Sequence, residues 1–96
     1  MNDMISVAVS TYNRWDLCYH TLSSIYSQKN VDIEIILVDD FSDQKLPSQM
    51  SDWIKGKNIT YIRHQRNMGL AQARNTALKY SNGEYFSFCD DDDTWP

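Results

Sequence analysis

The chain has 96 residues, of which 42% are hydrophobic and 12% are aromatic, enough for the core of one domain or part of one. Its formal net charge of −4 argues against a general nucleic-acid-binding surface, which would normally be basic. Cys18 and Cys89 are too few for a disulfide framework, and neither has a neighbour at zinc-ligand spacing. Because no apolar run near the N-terminus is long enough for a signal peptide or a membrane span, we expect a cytoplasmic chain.

Four β-prone runs alternate with helical patterns along the sequence. The runs cover residues 5–9, 33–38, 59–62 and 85–89. The helical patterns cover residues 16–28, 48–55 and 70–80. The order β-α-β-(α)-β-α-β predicts an α/β, Rossmann-like fold, with a mainly parallel sheet flanked by helices and right-handed crossovers.

The pattern within these segments also predicts which residues are buried. Residues 33–38 are almost continuously hydrophobic, which is typical of a strand buried on both faces. Helical spacing predicts two buried stripes, formed by Cys18, Leu22, Ile25 and Tyr26 in the first helix and by Leu70, Ala73, Ala77 and Leu78 in the last. Asp16 can cap the first helix, and Gly83 is expected to end the last one in a left-handed conformation.

Polar or acidic residues follow three of the predicted strands, at residues 10–14, 39–43 and 90–93. The carboxyl ends of parallel strands share one edge of a sheet, and ligands of open α/β sheets bind just beyond that edge. The three segments are therefore expected to converge on one cleft.

Residues 90–93 are four consecutive aspartates. Solvent, distant arginines or a cation could offset their mutual repulsion, and hard ions such as Mn²⁺ and Mg²⁺ prefer carboxylate oxygens. In a tight turn, Asp90 and Asp92 can face one ion, which could also bridge two phosphate oxygens and make a diphosphate a better leaving group. A solvated acidic turn is the alternative interpretation.

Two further residues are candidates for nucleotide binding. Asp40 follows the most hydrophobic strand, and a buried carboxylate there would need hydrogen-bond donors, such as a uracil ring N–H. An Asx turn is the alternative for Asp39 and Asp40. Arg74 lies one turn inside the last helix, where its guanidinium could reach a diphosphate or a base, unless it is a surface residue. His20 and His64 are expected to be structural or exposed.

Four motifs in order carry a family resemblance. They are residues 7–14, residues 34–42, residues 67–75 and residues 83–95. This series resembles the family 2 glycosyltransferases, which have the GT-A fold, and the resemblance covers essentially the whole chain. It implies that the chain is the N-terminal part of a GT-A domain, with a nucleotide-diphosphate sugar, often a UDP-sugar, as its donor partner.

The resemblance also implies site residues. The residues it places at the nucleotide sugar are Thr11, Tyr12, Asn13, Asp40, Arg74 and Asp91. Asp90 and Asp92 match the family's Asp-any-Asp metal motif, with Mn²⁺ or Mg²⁺ as the expected cofactor. The general base and the site for a saccharide or lipid-linked acceptor are expected beyond residue 96, so we assign no catalytic residue here.

The sequence is compatible with three hypotheses about the chain as a whole. We expect residues 1–96 to form a single, truncated part of a larger domain, inactive by itself, which could dimerise through an uncovered sheet edge. A non-catalytic nucleotide- or metal-binding module is the main alternative. An interaction domain with a solvated acidic tail is the third hypothesis.

Overall fold

The protein is an α/β unit built on a four-stranded parallel sheet, as predicted. The computed structural model describes residues 4–28 and 31–90. Its strands are β1 (Met4–Thr11), β2 (Asp32–Asp39), β3 (Ile59–Arg63) and β4 (Tyr85–Asp90). Its helices are α1 (Trp15–Tyr26), α2 (Ser48–Ile54) and α3 (Leu70–Tyr80). The strand order is β3-β2-β1-β4, and each pair of neighbours is parallel.

The central strand β2 is buried on both faces, which confirms the interpretation of its continuous hydrophobic pattern. Because side chains alternate along a strand, its residues divide between two hydrophobic clusters. Ile35 and Leu37 belong to the cluster that includes α1 and α2 residues, whereas Ile36 and Val38 belong to the cluster with α3. The sheet is therefore covered on both sides.

The helices contact the sheet through narrower stripes than the sequence pattern predicted. Cys18, Leu22 and Ile25 of α1 are fully buried, but the prediction for Tyr26 is wrong, because its side chain is 45% exposed. One residue along a helix turns a side chain by about 100°. That rotation moves Tyr26 off the stripe that Ile25 occupies.

Helix α3 lies against the sheet through its alanines. Ala73 and Ala77 are buried, but Leu70 and Leu78 are 49% and 54% exposed, contrary to our prediction. The two alanines are four residues apart and form one face, and their small side chains allow a close approach to β1 and β2. Leu78 lies about 100° around the helix from Ala77 and is therefore off this face. Leu70 shares the face with Ala77 but is the first residue of the helix, where it lines an open cleft instead of packing on the sheet.

Two local expectations are also corrected. Asp16 does not cap α1, because the helix begins one residue earlier, at Trp15, and Asp16 lies in its first turn. A carboxylate there still interacts favourably with the helix dipole. Gly83 has no positive φ, in contrast to Gly56 and Gly69. Its small size matters instead, because a Cβ at this position would lie 2.6 Å from Ser6 Oγ.

No helix within the described part of the chain is both long and apolar enough to span a membrane.

Candidate functional site

A cleft of about 460 Å³ lies at the carboxyl edge of the sheet. The residues that line it come from the end of β1, the residue after β2, the start of α3 and the end of β4. They are Ser10, Thr11, Tyr12, Arg14, Asp40, Leu70, Ala73 and Asp90. The predicted convergence of strand ends is therefore present in the structure.

The loops after β1 and β2 are tied together beside this cleft. The Asp40 backbone N–H donates to the Thr11 carbonyl at 2.9 Å. Asn13 adopts φ 58°, its N–H donates to Ser42 Oγ at 2.8 Å, and its Oδ1 accepts the Asp43 N–H at 2.7 Å. Asparagine tolerates this left-handed conformation better than most residues. Asn13 therefore holds the loop that presents Tyr12, which is 44% exposed.

Asp39 has a structural role at the end of β2. Its side chain is fully buried, and Oδ1 accepts the N–H of Ser42 at 2.9 Å, one residue further along the chain than in the Asx turn considered as an alternative. Oδ2 accepts the Tyr61 hydroxyl at 3.0 Å and lies 3.4 Å from Arg63 Nε. Burial, together with the charge of Asp39 and its hydrogen bond, raises the pKa of Tyr61 to about 12. Asp39 thus fixes the loop and joins β2 to β3.

Asp40 faces the start of α3. Its Oδ1 and Oδ2 accept the backbone N–H groups of Met68 and Gly69, each at 2.9 Å. Oδ1 also lies 2.8 Å from His64 Nδ1. Burial by itself would raise the pKa of Asp40, but the hydrogen bonds from His64, Met68 and Gly69 outweigh it and lower the pKa below its usual 3.8. Asp40 is therefore a carboxylate at neutral pH, and it lines the cleft although only 6% of the residue is exposed.

The backbone at the start of α3 requires a glycine. Gly69 precedes the helix with φ 89°, in a region that other residues rarely adopt. This conformation places its N–H within hydrogen-bond distance of Asp40 Oδ2. The sequence therefore specifies the glycine that lets the carboxylate bind the first N–H groups of the helix.

A buried histidine adjoins the site. His64 is 8% exposed, and while Nδ1 contacts Asp40, Nε2 lies 2.8 Å from Thr76 Oγ1 on α3. The structural role we expected for His64 agrees with this burial, but its contact with a candidate binding residue was missed. The contact follows from strand register, which the sequence pattern does not encode: Arg63 pairs with Asp39, so the next residues on the two strands are neighbours. His20 is exposed.

Arg74 and Asp90 lie on the β4 side of the site. The Arg74 guanidinium stacks on Phe88, with Cζ 4.7 Å from the ring centroid. Both Arg74 and Asp90 border a small cavity next to the cleft. The structure thus brings Thr11, Tyr12, Asp40 and Asp90 to the cleft itself, and places Arg74 beside it.

The predicted acidic cluster can be assessed only in part. Asp91 and Asp92 lie outside the described residues, as does Asp93. Within residues 4–28 and 31–90, no group of three or more potential metal-binding side chains is present. Asp90, an exposed carboxylate at the rim of the cleft, has the donor chemistry that Mn²⁺ or Mg²⁺ requires.

Comparison with known proteins identifies the family. The sequence pattern described as glycosyl transferase family 2 matches residues 6–96. The chain belongs to this family. Its parallel sheet with flanking helices is the corresponding part of a GT-A fold.

Curated relatives are glycosyltransferases of bacteria. The UDP-Glc:alpha-D-GlcNAc-diphosphoundecaprenol beta-1,3-glucosyltransferase WfaP of Escherichia coli is 38% identical over 93 residues, which are 97% of this chain and 37% of WfaP. The putative colanic acid biosynthesis glycosyl transferase WcaA of Escherichia coli K12 is 35% identical over 97 residues, covering 98% of this chain and 34% of WcaA. The chain thus spans little more than a third of the length of these relatives.

Two of the solved structures that resemble this chain contain nucleotide sugars. The mannosyltransferase PcManGT from Pyrobaculum calidifontis, in complex with GDP-Man and Mn²⁺, matches with a TM-score of 0.88 and 31% identity, over 100% of this chain and 29% of that protein. Residues 1–349 of S. aureus TarS, in complex with UDP-GlcNAc, match with a TM-score of 0.82 and 31% identity, over 96% of this chain and 27% of that one.

Proposed function

We propose that this chain is the donor-binding part of a longer glycosyltransferase, which transfers a sugar from a nucleotide diphosphate to an acceptor hydroxyl. The observation that carries the proposal is the cleft at the carboxyl edge of the sheet, where Asp40 is an ionised, oriented hydrogen-bond acceptor. Family membership and the nucleotide sugars bound to PcManGT and TarS support the same assignment.

Hydrogen-bond counting at Asp40 favours uracil as the base. An ionised carboxylate has about four acceptor positions. His64, Met68 and Gly69 occupy three of them, two on Oδ1 and one on Oδ2. One position on Oδ2 is left for a ligand, which suits the single N3–H of uracil. Guanine presents two adjacent donors and would pair best with both oxygens, so we propose a UDP-sugar as the donor.

The remaining nucleotide contacts are assigned by the family motifs and by position. We propose that Thr11, Tyr12 and Asn13 form the wall of the base site, since Thr11 and Tyr12 line the cleft and Asn13 fixes their loop. Arg74 lies beside the cleft, where its guanidinium could contact the diphosphate. Asp91 is proposed to contact the nucleotide sugar.

A divalent ion completes the proposal. Asp90 and Asp92 would hold Mn²⁺ or Mg²⁺, and the exposed carboxylate of Asp90 at the cleft fits this role as a hard oxygen donor. When bound, such an ion stabilises negative charge on a diphosphate leaving group.

We propose that the acceptor site lies in the longer protein. We propose a saccharide or lipid-linked acceptor, in line with the name of WfaP, which specifies an acceptor linked to diphosphoundecaprenol. The general base that deprotonates the acceptor hydroxyl is proposed to lie beyond residue 96. By itself, the 96-residue chain is therefore expected to lack transferase activity.

The test is nucleotide selectivity at Asp40. In the full-length protein, calorimetric titration with UDP, CDP and GDP, each with and without Mn²⁺, should give the tightest binding for UDP with Mn²⁺. Cytosine has an acceptor at N3, which a carboxylate repels. Asp40→Asn supplies an amide N–H₂, so the UDP-to-CDP affinity ratio should fall by about tenfold or more.

Asp43→Asn is the matched control. Asp43 is exposed on the same loop and contributes a backbone N–H rather than its carboxylate. It should leave the UDP-to-CDP ratio unchanged. A wild-type protein that binds UDP and CDP equally, or an Asp40→Asn variant with an unchanged ratio, would contradict the assignment of Asp40 to the base.

A further inference from the structure

We propose that His64 is a positioning residue for the nucleobase, because its imidazole, held by Thr76, fixes the Asp40 carboxylate so that Oδ2 is presented to the cleft. This inference rests on the proposed function. It concerns a residue that does not line the cleft, whereas Asp40, its partner, does. His64 would thus act on the ligand only through Asp40.

The hydrogen-bond partners define the tautomer of His64. An ionised carboxylate can only accept, so the 2.8 Å contact with Asp40 Oδ1 requires a proton on Nδ1. In the neutral ring Nε2 is then an acceptor, and the Thr76 hydroxyl, 2.8 Å away, donates to it. With a neutral ring, the chain of bonds therefore runs in one direction, from Thr76 through His64 to Asp40.

Both ring nitrogens of His64 have partners, and the backbone of the residue is hydrogen-bonded as well. The His64 N–H donates to the Asp39 carbonyl at 2.9 Å, which continues the β2–β3 pairing. Thr76 belongs to α3, the helix whose first N–H groups bind Asp40. Asp40, His64 and Thr76 thus close a loop of contacts between the end of β2, the end of β3 and α3.

This loop decides which carboxylate oxygen faces the ligand. His64 and Met68 both donate to Oδ1, whereas Gly69 alone donates to Oδ2. Met68 and Gly69 donate through backbone N–H groups, and position 69 is constrained by its positive φ rather than by a side chain. His64 is therefore the side-chain donor of the arrangement, and it keeps Oδ1 saturated and Oδ2 available.

The first test observes the tautomer directly. Long-range ¹H–¹⁵N correlation spectra of the full-length protein should show a protonated Nδ1 on His64. A bare Nδ1 would overturn the proposal, because it could not donate to Asp40. The assignment can be made by comparison with a Thr76→Val variant, in which Nε2 loses its hydroxyl donor and its ¹⁵N shift should change.

The second test uses two amides that each mimic one ring nitrogen. The amide nitrogen of Asn in His64→Asn reaches the position of Nδ1 and can still donate to Asp40. The amide of Gln in His64→Gln reaches the position of Nε2 and keeps only the contact with Thr76. We expect His64→Gln to bind UDP about tenfold more weakly than His64→Asn, with a lower UDP-to-CDP affinity ratio.

The outcomes separate this inference from the proposed function. If wild type does not prefer UDP to CDP, the assignment of the base site fails. If wild type prefers UDP but the two variants of His64 share the same ratio, the positioning role of His64 is overturned while the proposed function stands. Thermal unfolding of both variants measures their stability separately from the UDP-to-CDP affinity ratio. A merely structural role of His64 would change the stability and leave the ratio unchanged.

Discussion

The carboxylates of Asp39 and Asp40 have different partners, although the residues are adjacent in sequence. Asp39 is bound within its own loop and to β3, whereas Asp40 binds the start of α3 and lines the cleft. Adjacent residues at the end of a strand point to opposite sides of the sheet. Asp39 can therefore stabilise the loop while Asp40 faces the cleft, where a ligand could bind.

Gly83 is required for its size. A Cβ at this position would lie 2.6 Å from Ser6 Oγ and 2.7 Å from both Met4 O and Ser6 N. Two of these atoms are backbone atoms of β1, which cannot move without disturbing the sheet. Gly83→Ala should therefore lower the free energy of unfolding by about 1–3 kcal/mol, as overpacking generally does. Urea-induced unfolding followed by circular dichroism measures this loss.

Gly56→Asn is the control for this prediction. Gly56 has φ 77°, and a Cβ added to it would meet no atom within 4 Å, so this position needs conformational freedom rather than space. Asparagine tolerates that φ, and the variant should stay within about 0.5 kcal/mol of wild type. Equal stability of Gly83→Ala and wild type would show that β1 can give way, and would refute the close-packing argument.

At the scale of elements, a buried network joins β1, β2 and the turn before β4 at the amino edge of the sheet. Glu34 Oε2 accepts the Ser6 hydroxyl at 2.6 Å and the Asn82 N–H at 2.8 Å, while Oε1 accepts the Asn82 amide at 2.8 Å. Ser6 Oγ in turn accepts the Gly83 N–H at 2.7 Å. One carboxylate therefore connects three segments at the edge opposite the cleft.

This network predicts a pH dependence of stability. Burial would raise the pKa of Glu34, but hydrogen bonds from Ser6 and Asn82 outweigh it, so the pKa in the folded state lies below its usual 4.5. Folding then favours the ionised form, and the contribution to stability is complete above about pH 4.5 and lost as the pH falls through the lowered pKa. Glu34→Gln removes this titration, so its stability deficit relative to wild type should shrink below pH 4.5.

Chemical unfolding at a series of pH values between neutrality and acid measures that deficit. Glu84→Gln, which changes an exposed carboxylate next to the same turn, is the matched control and should follow the wild-type profile. A deficit for Glu34→Gln that stays constant with pH would contradict the prediction, because the ionised carboxylate of Glu34 would then contribute no more stability than the protonated one.

The elements themselves could be predicted from the sequence more fully than their contacts. Hydrophobic runs such as β2 and the alanine spacing of α3 are local signals, and both predicted elements are confirmed. The exposure of Leu70 depends on how closely α3 approaches the sheet, which is a tertiary property. The contact between His64 and Asp40 likewise depends on strand register, which no local pattern encodes.

At the scale of the whole molecule, the sheet places the candidate site at the carboxyl ends of its strands, and within the described residues β4 is an edge strand. Among the described strands, β4 pairs with β1 alone and forms one border of the sheet. Its Tyr85 and Phe88 are 58% and 45% exposed. Strand order could not be derived from the alternating pattern, because right-handed crossovers allow β4 on either side. The position of the cleft could, since every parallel arrangement brings the carboxyl ends together.

The open border predicts self-association of the 96-residue chain. Exposed edge strands that carry large apolar side chains offer a template for pairing with another copy, and a lysine at the edge opposes such pairing. Sedimentation velocity over a concentration series should therefore show dimers for the chain, and Tyr85→Lys should shift it towards monomer. Tyr80→Lys, which changes a similarly exposed tyrosine on α3, should leave the dimer intact. If wild type stays monomeric at the highest concentration, the β4 border is protected within the chain itself; if Tyr80→Lys abolishes the dimer as Tyr85→Lys does, association uses a helical surface instead.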